Sequence, residues 1–200
     1  MLDNKDIEII KKEVESLIKQ DKIVVEKKNK GKFTDFFLEN SRKSFDFASV
    51  LMEISTSQKI QETLGYPNFD GNLWTINASY YSMFYMVRAL LESSGIKIRS
   101  DSFTQSIHQM TFQALIYFFY INRRLERRLI EDFQEAIEES GEILGKEKAK
   151  KLVEEYKSEK EKRNIFTYEL GQIAMQNKAE TSIKRAKSFN QEIKKIIKLN

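Results

Sequence analysis

Cysteine is absent from this chain, histidine and proline occur once each, and glycine occurs seven times in 200 residues. Each shortage removes options. Without cysteine there is no disulfide framework, no thiolate nucleophile and no cysteine-based zinc site. The lone histidine, His108, cannot build a multi-histidine metal centre within one chain, so neither metal nor cofactor is expected. A single proline, Pro67, and few glycines argue against an all-β architecture, which needs turn residues every few positions. Long apolar runs are also missing. The stretch Tyr80 to Leu91 is interrupted by Arg88, so no membrane span is expected. The chain starts Met-Leu-Asp-Asn-Lys-Asp, without an apolar signal region, and the expected location is cytoplasmic.

What is present suits a soluble helical protein. Hydrophobic residues make up 40% and charged residues 32%, and Leu, Ile, Lys, Glu and Gln are helix formers or core fillers. The net charge of +4 permits anionic partners without demanding them.

Hydrophobic periodicity divides the chain into helices. Residues 3–29 carry Ile7, Ile10, Val14, Leu17 and Ile18 at helical spacing. The basic stretch Lys27–Lys32 then reads as a solvated loop, which sets 1–32 apart from a bundle over 33–200. Thr34 is the expected N-cap of a second helix running to about Leu64, and Gly65–Gly71 is the clearest break. A third helix, Leu73 to Ser94, is apolar nearly all round and so is expected at the centre, with Gly95 as its C-cap. A fourth is expected near Thr104–Ile121 and a fifth near Asn122–Ser140. Gly141 and Gly145 are expected to bracket a connection to a sixth helix, Lys146–Gln176, and a kink near Asn177 to begin the last. The fold class is all-α.

Several groups of residues draw chemical interest. Arg88 interrupts an apolar stripe, and Glu92, four residues on, is its expected local partner. His108 is either a hydrogen-bonded structural residue or a general acid or base. Arg123, Arg124, Arg127 and Arg128 are expected on one broad helical face, either binding phosphates or solvated and balanced by Glu126, Glu131 and Asp132. Lys184, Lys187, Lys194, Lys195 and Lys198 read mainly as solvated surface. The last group is Glu161-Lys162-Arg163-Asn164-Ile165-Phe166-Thr167-Tyr168-Glu169. Arg163 and Tyr168 are five positions apart, about 500° of helical rotation, so they diverge on one helix and would line opposite edges of a groove. Arginine can stabilise developing phosphoryl charge and tyrosine can position a proton. The structural alternative is an arginine–carboxylate contact beside core aromatics.

Three of these segments together resemble the HEPN superfamily, the higher eukaryotes and prokaryotes nucleotide-binding domains. The run from Asn77 to Ile96, with Tyr80-Tyr81, Phe84, Arg88-Ala89-Leu90-Leu91 and Gly95, is similar to a helix of small prokaryotic HEPN proteins. His108 follows a polar loop, as a histidine does in many of them. Arg163 to Tyr168 resembles an Arg-x4-Tyr version of their Arg-x4-6-His motif. The resemblance covers about residues 40–190. It implies an up-and-down helical bundle of HEPN type, here with an extra N-terminal helix. It also implies a homodimer with the arginine motifs facing one cleft, and a minimal nucleotidyltransferase as partner in a toxin–antitoxin-like module.

In active members, arginine and histidine cleave RNA without metal, using the ribose 2′-hydroxyl. Arg163 matches the family arginine and Asn164 the polar residue after it. Tyr168 stands where the histidine would be, and its ordinary pKa near 10 makes it a poor base at neutral pH. The expectation is therefore a protein that binds RNA or a nucleotide. The alternatives are a metal-independent RNase toxin using Arg163 with Tyr168 or His108, and a non-catalytic structural or adaptor bundle.

Overall fold

A computed structural model describes the backbone of residues 4–26, 28, 30–99, 106–154 and 165–199. It describes their side chains except for residue 4 and the stretches 142–154 and 165–174. The chain is an all-α bundle with one minor strand pair. Among the described residues no helix is long and apolar enough to cross a membrane.

Helix α1 spans Asn4–Lys19 and buries Ile10, Val14 and Leu17, which recur on one face. It ends ten residues before the expected boundary at 29, because the β-branched run Ile23-Val24-Val25 forms a strand, β1. Its partner β2, Ile96–Ile98, pairs antiparallel with Ile23 opposite Ile98 and Val25 opposite Ile96. Gly95 makes that junction possible. Its φ is +78°, and a Cβ there would sit 2.6 Å from the carbonyl oxygen of Glu26. Glu26 in turn donates its backbone N–H to the Gly95 carbonyl at 2.8 Å.

The expected second helix is two. Helix α2, Thr34–Thr56, stops where Ser57 turns extended, and Ser57 Oγ accepts from the N–H of Ile60 to cap α3, Gln58–Leu64. Phe33, not Thr34, is the N-cap of α2. The amide of buried Gln61 seals the joint by donating to the carbonyls of Ile54, Ser55 and Phe69 at 2.9, 3.1 and 3.2 Å.

Helix α4, Asn72–Ser93, is central, as its all-round apolar pattern implies. It packs against α2, α5, α6 and α7. Helix α5, Ile107–Leu115, starts three residues later than expected, where Ser106 Oγ accepts from the N–H of His108. It runs into a π-helical turn, Ile116–Tyr120. Helix α6, Arg127–Glu154, passes straight through Gly141 and Gly145, so the expected connection there is not a break. A Cβ on Gly141 would meet nothing, so this glycine leaves the helix intact at its exposed surface. Helix α7, Ile165–Lys198, is one helix through Asn177, in place of the expected kink.

The core gathers Leu129, Phe133 and Ala136 of α6 and Ala186, Phe189 and Ile193 of α7 around α4. The buried side chains of α1 belong to the same core. Helices α6 and α7 are also tied by charge: Arg185 donates to Glu139 at 2.7 Å and Glu135 at 2.9 Å.

Candidate functional site

Two segments that carry the family resemblance meet at the seam between α4 and α5. Tyr80, Phe84 and Arg88 recur every fourth residue, so they share one side of α4. The Ser106 cap sets the start of α5, which presents His108 to that side. His108 Nδ1 lies 2.5 Å from the Tyr80 hydroxyl. The imidazole is half-buried against rings, with centroids 4.5 Å from Phe84, 5.7 Å from Tyr80 and 5.9 Å from Tyr81.

Burial, and then the charge of Arg88, hold His108 below the ordinary histidine pKa, so the ring is neutral near pH 7. Burial pushes the Tyr80 phenol well above the ordinary tyrosine value, so it stays protonated. A neutral imidazole with Nδ1 engaged and aromatic neighbours fits the hydrogen-bonded structural alternative. Arg88 lies over the Phe37 ring, 4.9 Å from its centroid. Glu92 is buried, favours the Arg88 charge, and accepts from the backbone N–H of Phe33 at 3.3 Å. No Arg88–Glu92 ion pair is found among the described residues: Arg88 rests on the Phe37 ring of α2 and Glu92 caps the start of α2 at Phe33.

The arginine cluster does not form one face. A single face requires a helix from Asn122, but α6 begins at Arg127, and residues between the π turn and α6 make a tight turn. Arg123 has φ +56° and donates its N–H to the Tyr120 carbonyl at 2.9 Å. Arg124 donates its N–H to the Phe119 carbonyl at 2.8 Å, and its guanidinium lies 5.0 Å from the centroid of the Phe119 ring. Arg127 pairs with Glu131 at 2.9 Å and Arg128 with Asp132 at 3.4 Å, each one turn on. The solvated, charge-balanced alternative fits these last two. The first two border an open cleft of about 720 Å³, together with Ile7, Tyr120 and Glu126. Arg123 is exposed and has no ion-pair partner among the described residues. Tyr120 is half-buried and lines the cleft.

Reading the sequence missed this pairing of α1 with the turn. Tyr120 sits inside the run Tyr117-Phe118-Phe119-Tyr120 of the expected fourth helix, whose last turn is π-helical. The polar contacts of α4 were missed as well: Ser140 donates to Asn77 at 2.6 Å, and Asn190 donates to Ser82 at 2.7 Å. Arg163 and Asn164 lie outside the described residues. Tyr168 falls within α7, on the stretch whose side chains are not described. No group of three or more histidine, aspartate or glutamate side chains suited to a metal occurs among the described residues. No family model, no curated protein and no solved structure matches this chain.

Proposed function

We propose that this chain is a HEPN-type binding protein that takes RNA or a nucleotide on its basic turn. It would act as a homodimer beside a nucleotidyltransferase partner, in a toxin–antitoxin-like module. The observation that carries the binding reading is the cleft where Tyr120, Arg123 and Arg124 converge. A half-buried aromatic ring offers a base a stacking surface, worth roughly 1–3 kcal/mol per base. Two guanidinium groups beside it match phosphate oxygens in charge and geometry. The contact between Tyr80 and His108 supports the family reading, because it joins two of the segments that carry the resemblance. The same contact disfavours His108 as a proton-transfer residue, which leaves that role in an RNase reading to Tyr168.

The homodimer is supported by exposed Phe36, Phe47 and Val50 along one side of α2, which are 60, 55 and 50% exposed, and by Trp74 at 52%. A strictly monomeric mass at tens of micromolar would count against it.

The test is incubation of the protein with a labelled single-stranded RNA in EDTA, at low and high salt. Binding without cleavage is expected, weakening steeply with salt and at least tenfold with Arg123→Ser/Arg124→Ser. Salt-independent binding, or none, would favour the adaptor alternative. Cleavage by the wild type that disappears in Arg163→Ala would establish the RNase reading instead.

A further inference from the structure

A second cleft, of about 220 Å³, lies between α2 and α7 with Met86 of α4 among its lining residues. Phe45 and Met86 give it an apolar wall. Lys187 and Lys194 belong to its lining on α7. They are seven residues apart and so share one helical face, about 10 Å apart along the axis. Both are exposed, and neither has an ion-pair partner among the described residues. Arg42, the third cation of the lining, is already held by Glu39 and Asp46.

Asn190 also lines this cleft and is 9% exposed. Its orientation is set by its neighbours. The Ser41 hydroxyl donates to the Ser82 carbonyl at 2.8 Å, and the Ser82 hydroxyl donates to the Ser41 carbonyl at 2.9 Å. Both hydroxyl protons are thereby committed, so Ser82 Oγ can only accept from Asn190. The Asn190 amide nitrogen donates to it at 2.7 Å. The carbonyl oxygen Oδ1 must then point away, and it is buried with no hydrogen-bond partner among the described residues. A buried acceptor left unmatched costs roughly 1–3 kcal/mol. Lys187 and Gln191, near Asn190 in the chain, also line the cleft and have exposed side chains.

We propose that the α2–α7 cleft binds a small organic oxyanion carrying a hydrogen-bond donor on an apolar body. The acid group lies between Lys187 and Lys194, the body lies against Phe45 and Met86, and the donor reaches Asn190 Oδ1. The cleft is smaller than the roughly 300–1,000 Å³ pockets that take drug-sized ligands, so the occupant is compact. None of these residues lines the cleft at the basic turn, so the site stands whether or not RNA binds there.

The probes are 4-aminobenzoate and 4-aminophenyl phosphate, each against its counterpart without the amino group, with inorganic phosphate as control, read by calorimetry or amide chemical shifts. Saturable binding of one amino compound is expected, and the tighter of the two identifies the acid. Loss of the amino group should weaken it about fivefold, the worth of one hydrogen bond. Lys187→Ser/Lys194→Ser, both at exposed positions, should weaken it at least tenfold. Asn190→Asp should weaken it too, by placing a carboxylate where the neutral acceptor stood. The proposal is overturned if no probe binds saturably at millimolar concentration, if inorganic phosphate binds as well as the amino compounds, or if the lysine substitutions change nothing.

Discussion

Two of the seams into which helix α4 carries polar groups are finished differently. Toward α5, Tyr80 and His108 satisfy each other and are packed against rings. Toward α2 and α7, Ser82 joins Ser41 and Asn190, and one oxygen is left over. Tyr80 and Ser82 are two residues apart, about 200° around the helix, so they face nearly opposite sides of the bundle. Aromatic groups close the first seam by shape, with one polar contact to satisfy. In the second seam both serine hydroxyl protons are committed to carbonyls, and the Asn190 carbonyl oxygen is left without a donor. A seam of the first kind locks, and one of the second kind keeps a spare valence.

The largest effect is expected at the second seam. Ser82→Ala removes a donor to the Ser41 carbonyl and the acceptor of the Asn190 amide, leaving both buried. A loss of roughly 2–3 kcal/mol in urea denaturation is expected. A loss below about 0.5 kcal/mol would mean that the network is not formed in solution, and the contrast between seams would fall. Tyr80→Phe should cost less, roughly 1–2 kcal/mol, because only one contact is lost and the ring packing remains.

The smallest effect is in pH dependence. The folded state holds His108 below its ordinary pKa, so the unfolded chain takes up a proton first as pH falls. His108 therefore contributes stability above about pH 6.5, its ordinary value, and that contribution is lost on acidification below it. Between pH 7 and 5 the denaturation midpoint of His108→Gln should fall less than that of the wild type. Parallel slopes would show that the ring is not half-buried.

The sequence made the central helix legible because an apolar pattern on every side has one physical outcome, burial. It also showed the stripe Ile10, Val14 and Leu17. The strand pair was hidden because its halves are three residues long and some 70 positions apart, beyond the reach of any local period. Ser57 was hidden because a serine inside a helical pattern gives no sign whether it will cap or continue. Gly141 and Gly145 misled in the opposite sense: the helix runs through both, and Gly141 at least lies on an exposed face, where a glycine is tolerated. The arginine cluster shows the same lesson at the candidate site. Its spacing suits one face, but that spacing matters only if a helix is there. The turn after Tyr120 gives Arg123 and Arg124 to the cleft, and α6 gives Arg127 and Arg128 to its own acids.

The π turn also sets a phase. Its wider coil lets Ile121 reach back five residues, to the carbonyl of Ile116, and the left-handed Arg123 then closes the helix, with the Arg124 N–H bonding back to Phe119. Removing one residue from 116–120 would restore the ordinary pitch and rotate the chain beyond it by about 100°. The packing of the earlier helices on one another would be kept, while Tyr120 and the two arginines would swing off the cleft together and α6 would have to re-seat on α4. Insertions and deletions, more than substitutions, are thus the changes to which this surface is most sensitive.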